Sequence, residues 1–124
     1  MARITFVFLV LFGAALVGCK SRQDYSQHYP NLTGEVLFEN DQMVVQRFVI
    51  EPGQWEGIHS HSGKQLYVHI KGGEWTVRYG DKEEVSVAQD GSVGWQKAVD
   101  LSEKHESGNT GTTPIELLWI NLKR

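Results

Sequence analysis

The chain has 124 residues, 40% of them hydrophobic, with 12 Lys+Arg against 15 Asp+Glu and a net charge of −3, which suffices for one domain and not for two. That charge, with no basic stripe, excludes a nucleic-acid surface, and 13 Gly and 3 Pro without a period exclude collagenous and low-complexity chains. A single Cys excludes an internal disulfide and a thiolate metal site.

Residues 1–19 read MARITFVFLVLFGAALVGC, with one early cation, Arg3, and then an uncharged run from Ile4 to Val17. Spanning a hydrocarbon core takes about 20 apolar residues. The shorter run here has the n-region and h-region of a secretory signal, the other reading being an anchor helix that is never removed. Leu16-Val17-Gly18-Cys19 resembles the lipobox of bacterial lipoproteins. The resemblance implies removal of residues 1–18, a diacylglycerol on the Cys19 thiol and an acylated new amine. Several acyl chains anchor a protein stably to a membrane without spanning it. Lys20 stands where inner-membrane lipoproteins carry Asp, which implies an exported protein held at the periplasmic face of the outer membrane, or at the cell surface of a bacterium with one membrane. After Cys19, residues 20–33 are polar and aperiodic and include Pro30; with the lipidated Cys19 they make segment 19–33, expected to be a flexible tether. His28 lies in that stretch and takes no role.

From Gly34 to the end, short runs of β-branched and aromatic residues alternate with turn residues. The expected strands are Glu35 to Phe38, Gln42 to Ile50, Gly57 to His61, Gln65 to Lys71, Glu74 to Tyr79, Glu83 to Val87, Ser92 to Trp95, His105 to Asn109 and Ile115 to Leu122. Glu51-Pro52-Gly53, Gly72-Gly73, Gly80-Asp81 and Gln89-Asp90-Gly91 punctuate them. No stretch has a helical period, and Lys97 to Lys104 has room for one turn. Many short, evenly spaced strands predict an all-β sandwich or barrel over residues 34–124.

The histidines carry the chemistry. His59 and His61, two apart on an expected strand, would point to one face; Gln65, Tyr67 and His69 would share a face of the next strand, and Trp75, Val77 and Tyr79 a face of the one after. Imidazoles among apolar strands need partners for their ring nitrogens. A metal supplies one, and two hydrogen-bonded histidines are the plain alternative. The spacing Gly53, five residues, His59-x-His61, three residues, Gln65, six residues, Gly72 resembles the first motif of the cupins, with Gln65 where that family usually has Glu. His105-Glu106-Ser107-Gly108-Asn109 resembles the end of the second motif, although Lys97 replaces its Pro and His105 arrives three residues late. The text from Glu39 to Lys123 looks like the small single-domain cupins, some of them named for β-alanine degradation.

What this resemblance implies is a jelly-roll β-barrel, often a homodimer, with a divalent metal held by His59, His61 and His105 inside the barrel mouth. Three neutral imidazoles plus an oxygen suit Fe, Mn, Ni, Cu or Zn. Gln65 either ligates through its neutral amide oxygen or hydrogen-bonds a ligand or metal-bound water, and a domain without metal is a further alternative. Tyr67 and His69 are candidate catalytic groups if they line the cavity, and core residues with satisfied tips if they do not. Two functions are expected. One is a metal-dependent dioxygenase acting on a small molecule; the other is a non-catalytic metal or small-ligand binding module of the cell envelope.

Overall fold

In the two longest strands every second side chain is buried: Val44, Gln46, Phe48 and Ile50 of β2 (Met43–Ile50), and Ile115, Leu117, Trp119 and Asn121 of β8 (Ile115–Leu122). These strands pair antiparallel along their whole length, with Phe48 opposite Leu117 and Val44 opposite Asn121. Their buried faces therefore form one wall, apolar at the Ile50–Ile115 end and amide-lined at the Val44–Asn121 end. Each fully buried aliphatic or aromatic side chain on it contributes about 1.5–3 kcal/mol.

The computed structural model describes residues 22–124. The expected signal peptide, residues 1–18, and Cys19 lie outside the described residues. With β1 (Glu35–Glu39), β3 (Gln65–Lys71), β4 (Gly73–Tyr79), β5 (Lys82–Ala88), β6 (Val93–Gln96) and β7 (His105–Asn109), the strands form two sheets. A five-stranded sheet runs β1-β2-β8-β3-β6 and a three-stranded one β5-β4-β7, and every pair is antiparallel. This is an all-β jelly-roll sandwich, as expected. Edge strands β1, β5 and β6 carry exposed apolar side chains, among them Phe38, Val87 and Trp95. Among the described residues no helix is long and apolar enough to cross a membrane.

Two expectations need amendment. The Gly57 to His61 run is not a strand; its one isolated bridge joins His61 to Val99, and a second, Trp55 to Gly108, lies just before it. Gly57 takes φ +81°, which ends extended pairing, and a Cβ there would come within 2.9 Å of Pro30. The segment nevertheless lies along β7 through single hydrogen bonds, from the Glu56 amide to the Ser107 carbonyl at 2.8 Å and from the His59 amide to the His105 carbonyl at 3.0 Å.

The expected tether is not free along its described length. Gln27 and Tyr29 are only 6% and 7% exposed, and Tyr29 belongs to the core cluster with Phe48, Ile50, Ile115, Leu117 and Trp119. Its hydroxyl accepts from Trp119 Nε1 at 2.6 Å. A tyrosine with a buried partner for its polar tip packs as well as a phenylalanine does, so the domain takes in residues well before Gly34. His28 stays on the surface, 2.7 Å from Asp24.

The turn expected within Lys97 to Lys104 is a short 3-10 turn, Leu101–Glu103. Asp100 and Glu103 form a reciprocal capping box, and Lys104 in the left-handed region at φ 49° redirects the chain. The residues that delay His105 in the sequence are wound into this turn, so His105 still opens β7.

Candidate metal centre

His59 and His61 reach one point although no strand holds them. Hydrogen bonds to β7 fix the backbone at His59, while His61 pairs with Val99 in both directions, at 3.0 and 3.1 Å. His105 arrives from β7 itself. The three rings gather with their centroids 4.6 Å (His59–His61), 4.7 Å (His59–His105) and 5.2 Å (His61–His105) apart. One ligand nitrogen from each lies within 4.8 Å of the others, and all three residues are buried.

The hydrogen bonds behind the rings decide what faces inward. His59 Nδ1 lies 2.8 Å from the Gly57 carbonyl, and His61 Nδ1 lies 2.9 Å from Gln65 Oε1. Both oxygens can only accept, so both Nδ1 atoms carry the proton and both Nε2 atoms present bare lone pairs. Those two Nε2 atoms are 2.9 Å apart. Burial, together with the neighbouring imidazoles, pushes His59 down to about 4 and His61 to about 3, so no proton bridges them near neutrality. Two lone pairs at that distance repel unless a cation takes both. Nitrogens each about 2.1 Å from one ion, at a right angle, are about 3.0 Å apart. His105 is lowered by burial as well, and its Nδ1 is buried with no partner. The residues present thus fit a divalent transition metal.

Gln65 has no polar atom to spare. Its Oε1 holds His61, and its Nε2 donates to Gln27 Oε1 at 2.8 Å and to Asn121 Oδ1 at 2.6 Å. Asn121 donates in turn to Gln46 Oε1 at 2.9 Å, and Gln46 Nε2 donates to the Gln27 carbonyl at 3.2 Å. Four buried amides, all satisfied, set the direction of Gln65 and so the tautomer of His61. The structure places Gln65 behind His61, in contact with its outer nitrogen.

Sequence reasoning missed Glu56. Its side chain is 2% exposed, Oε2 is 3.8 Å from His59 Nε2, and Oε1 has no hydrogen-bond partner. Burial raises its pKa to about 8, with the Ser107 and Tyr29 hydroxyls pulling the other way. Its signal was its position, three residues before His59, in a stretch whose side-chain directions strand alternation cannot give. Tyr29 was missed too; its ring stands edge-on to His59 at 4.5 Å, and it closes the back of the site.

A cavity of about 400 Å³ opens in front of the rings, within the range of small-molecule sites. His61, His105 and Glu56 lie at its floor, and Tyr67, His69, Trp75, Val77 and Tyr79 are in its walls, on the faces that alternation gave them. Tyr67 lies across Gly94 on the neighbouring strand, where a Cβ would come within 2.2 Å of its hydroxyl. His69 Nδ1 is 3.0 Å from Ser92 Oγ, and burial lowers its pKa. Trp119 is buried in the core, Trp95 is half exposed, and Trp55 stacks under the Arg78 guanidinium at 3.7 Å.

Comparison with known proteins agrees with this architecture. A family described as Cupin domain matches residues 46–121. A cupin domain from Bordetella pertussis Tohama I superposes with a TM-score of 0.66 at 19% identity, over 80% of this chain and 100% of its own. A protein with a double-stranded β-helix domain from Klebsiella pneumoniae gives 0.55 at 22%, over 75% and 77% of the two chains. A cupin superfamily protein from Desulfitobacterium hafniense gives 0.51 at 18%, over 78% and 82%. No curated protein matches the chain. At these identities the solved structures speak to the fold alone.

Proposed function

The chain belongs to the cupin family, and on that footing we propose that it holds a divalent transition metal at His59, His61 and His105 and acts there as a dioxygenase on a small acid or enol. The observation that carries the reading is the pair of bare Nε2 atoms 2.9 Å apart, with a third buried imidazole beside them. Bound at these residues, a metal such as Fe, Mn, Ni, Cu or Zn supplies Lewis-acid polarisation of a coordinated oxygen and, for iron, activation of dioxygen. The chain does the rest. Trp75, Val77, Leu117 and Trp119 make the cavity wall apolar and displace water from a bound substrate. His69 is a neutral base near pH 7 because burial lowers its pKa, and Ser92 fixes its ring, so it is suited to take a proton from an enol. Tyr67 stands next to it, ring centroids 5.4 Å apart, and offers a hydroxyl to orient the substrate.

One observation favours a second reading, a module that binds metal or ligand without turnover. The usual motif carboxylate is replaced by Gln65, and that amide is fully committed to the fold. The two readings separate in one experiment. The untagged protein is expected to retain a transition metal at close to one per chain by elemental analysis. After reloading with Fe(II), it is expected to consume oxygen with at least one member of a panel of small acids and enols. Uptake that stays flat across metals and substrates leaves the binding module; absence of any retained or reloadable metal defeats the dioxygenase and leaves a module for a small ligand alone.

The membrane reading rests on the lipobox-like Leu16-Val17-Gly18-Cys19. We propose an exported protein, cleaved before Cys19, whose acyl chains hold the domain at the periplasmic face of the outer membrane. Cells fed a labelled fatty acid should label the wild-type chain and not Cys19→Ala, which should also accumulate uncleaved. Equal labelling of both removes Cys19 as the anchor.

A further inference from the structure

Three neutral imidazoles leave a divalent ion's whole charge in a buried cavity, a cost that an anionic ligand relieves. The usual motif position cannot provide one, since Gln65 is uncharged and every polar atom it has is hydrogen-bonded. Among the described residues lining the cavity, Glu56 is the one carboxylic acid. It is 2% exposed, its Oε1 has no partner, and its Oε2 lies 3.8 Å from His59 Nε2. A buried carboxyl oxygen without a partner is costly and calls for a reason. Two donors each about 2.1 Å from the same ion are separated by about 3.0 Å when adjacent and about 4.2 Å when opposite. The Glu56 to His59 separation falls between these limits, as the His59 to His61 separation falls at the lower one.

We propose that Glu56 is the anionic ligand of the metal centre, in place of the carboxylate that Gln65 has lost, and that Gln65 orients His61 from behind. The proposal rests on the metal reading above and deepens it. The Glu56 amide is pinned to the Ser107 carbonyl at 2.8 Å, so the carboxylate and His105, two residues from Ser107 on β7, are carried by one hydrogen-bonded pair of segments. The carboxylate comes from the loop before the imidazole pair and the amide from the strand after it, which exchanges the usual positions of ligand and support without changing the number of donors.

The test uses the full chain, with zinc as the probe. A zinc-loaded minus zinc-free infrared difference spectrum of the wild type is expected to show a new coordinated-carboxylate band, and that band should vanish in Glu56→Gln. The same substitution is isosteric and removes no hydrogen bond to Oε1, so the fold should survive, and zinc affinity measured against a competing chelator should fall by about 10–100-fold or more. Gln65→Leu should also bind zinc more weakly yet keep the carboxylate band. If the wild type binds zinc with no carboxylate change, or if Glu56→Gln keeps both band and affinity, the ligand assignment is overturned and the three-imidazole centre stands. If the wild type binds no zinc, the metal reading fails and takes this assignment with it.

Discussion

Replacing His59 and His61 together by alanine is expected to abolish stoichiometric metal binding while the chain remains folded. Two of the three imidazoles that converge within 4.8 Å disappear, and His105, even with the Glu56 carboxylate, leaves too few donors to hold an ion against water. Losing even an outer partner of a ligand costs about 10–100-fold in affinity, and losing two ligands costs more. The stability argument runs the other way in the metal-free state. There the paired Nε2 atoms repel at 2.9 Å, and both rings are buried against their preference for water, so their removal relieves strain while opening space. Metal therefore separates the two proteins. A ligand that binds only the native state at 100 times its dissociation constant adds about 2.7 kcal/mol, which the wild type should show as a raised melting temperature with zinc and the double variant should not. Equal metal content by elemental analysis, or an equal thermal shift, would falsify the three-histidine centre.

Strand alternation made most of the barrel legible. The inward and outward residues of β2, β3, β4 and β8 follow from the two-residue period because both sheets bury one face against the other, and this placed Tyr67, His69, Trp75, Val77 and Tyr79 in the cavity wall. The spacing of His59, His61 and His105 identified the three rings, yet the argument that put the first two on one strand was wrong. Gly57 breaks that strand, and the rings converge because single hydrogen bonds to β7 and Val99 hold an irregular loop. A loop has no period, so the direction of Glu56 could not be read, and its carboxylate went unnoticed three residues before His59. The stretch before Gly34 failed for another reason. It is polar on average, and burial there depends on two residues, Gln27 and Tyr29, whose polar atoms meet partners far along the chain in Gln46, Gln65 and Trp119. Composition averages such partners away. Gln65 shows the same limit, since its spacing named the residue and only the amide network revealed which side of His61 it occupies.

The metal-free protein is expected to be most stable near pH 6.5 and to lose stability on both sides, for opposite reasons. Below that value the histidines decide. Unfolded, His59 and His61 take up protons near 6.5, whereas burial keeps them neutral in the folded chain down to about 4 and about 3. Across that window the unfolded state binds more protons, so acid favours it, by about 1.4 kcal/mol per pH unit for each ring. Glu56 opposes them. Burial holds its proton up to about 8 against an ordinary 4.5, so between those values the folded state binds the extra proton, and rising pH works against it. Two rings against one carboxyl leave a net loss of about 1.4 kcal/mol per unit on acidification from 6.5, to which His69 and His105, also lowered by burial, add. Above 6.5 the rings are silent in both states and Glu56 alone acts, so stability declines by up to about 1.4 kcal/mol per unit until pH about 8. Urea denaturation of the metal-free chain from about pH 5 to 9 reads this directly. Glu56→Gln should flatten the alkaline limb and steepen the acid one to about 2.8 kcal/mol per unit, since the carboxyl that opposes the two rings is gone. Zinc should flatten the alkaline limb as well, because a ligating carboxylate has already lost its proton, and should steepen the acid limb, because protons then compete with the ion for His59 and His61. A metal-free stability that does not change between pH 5 and 8 would show that these rings and this carboxyl titrate alike in the folded and unfolded chains, and that the site is open to water.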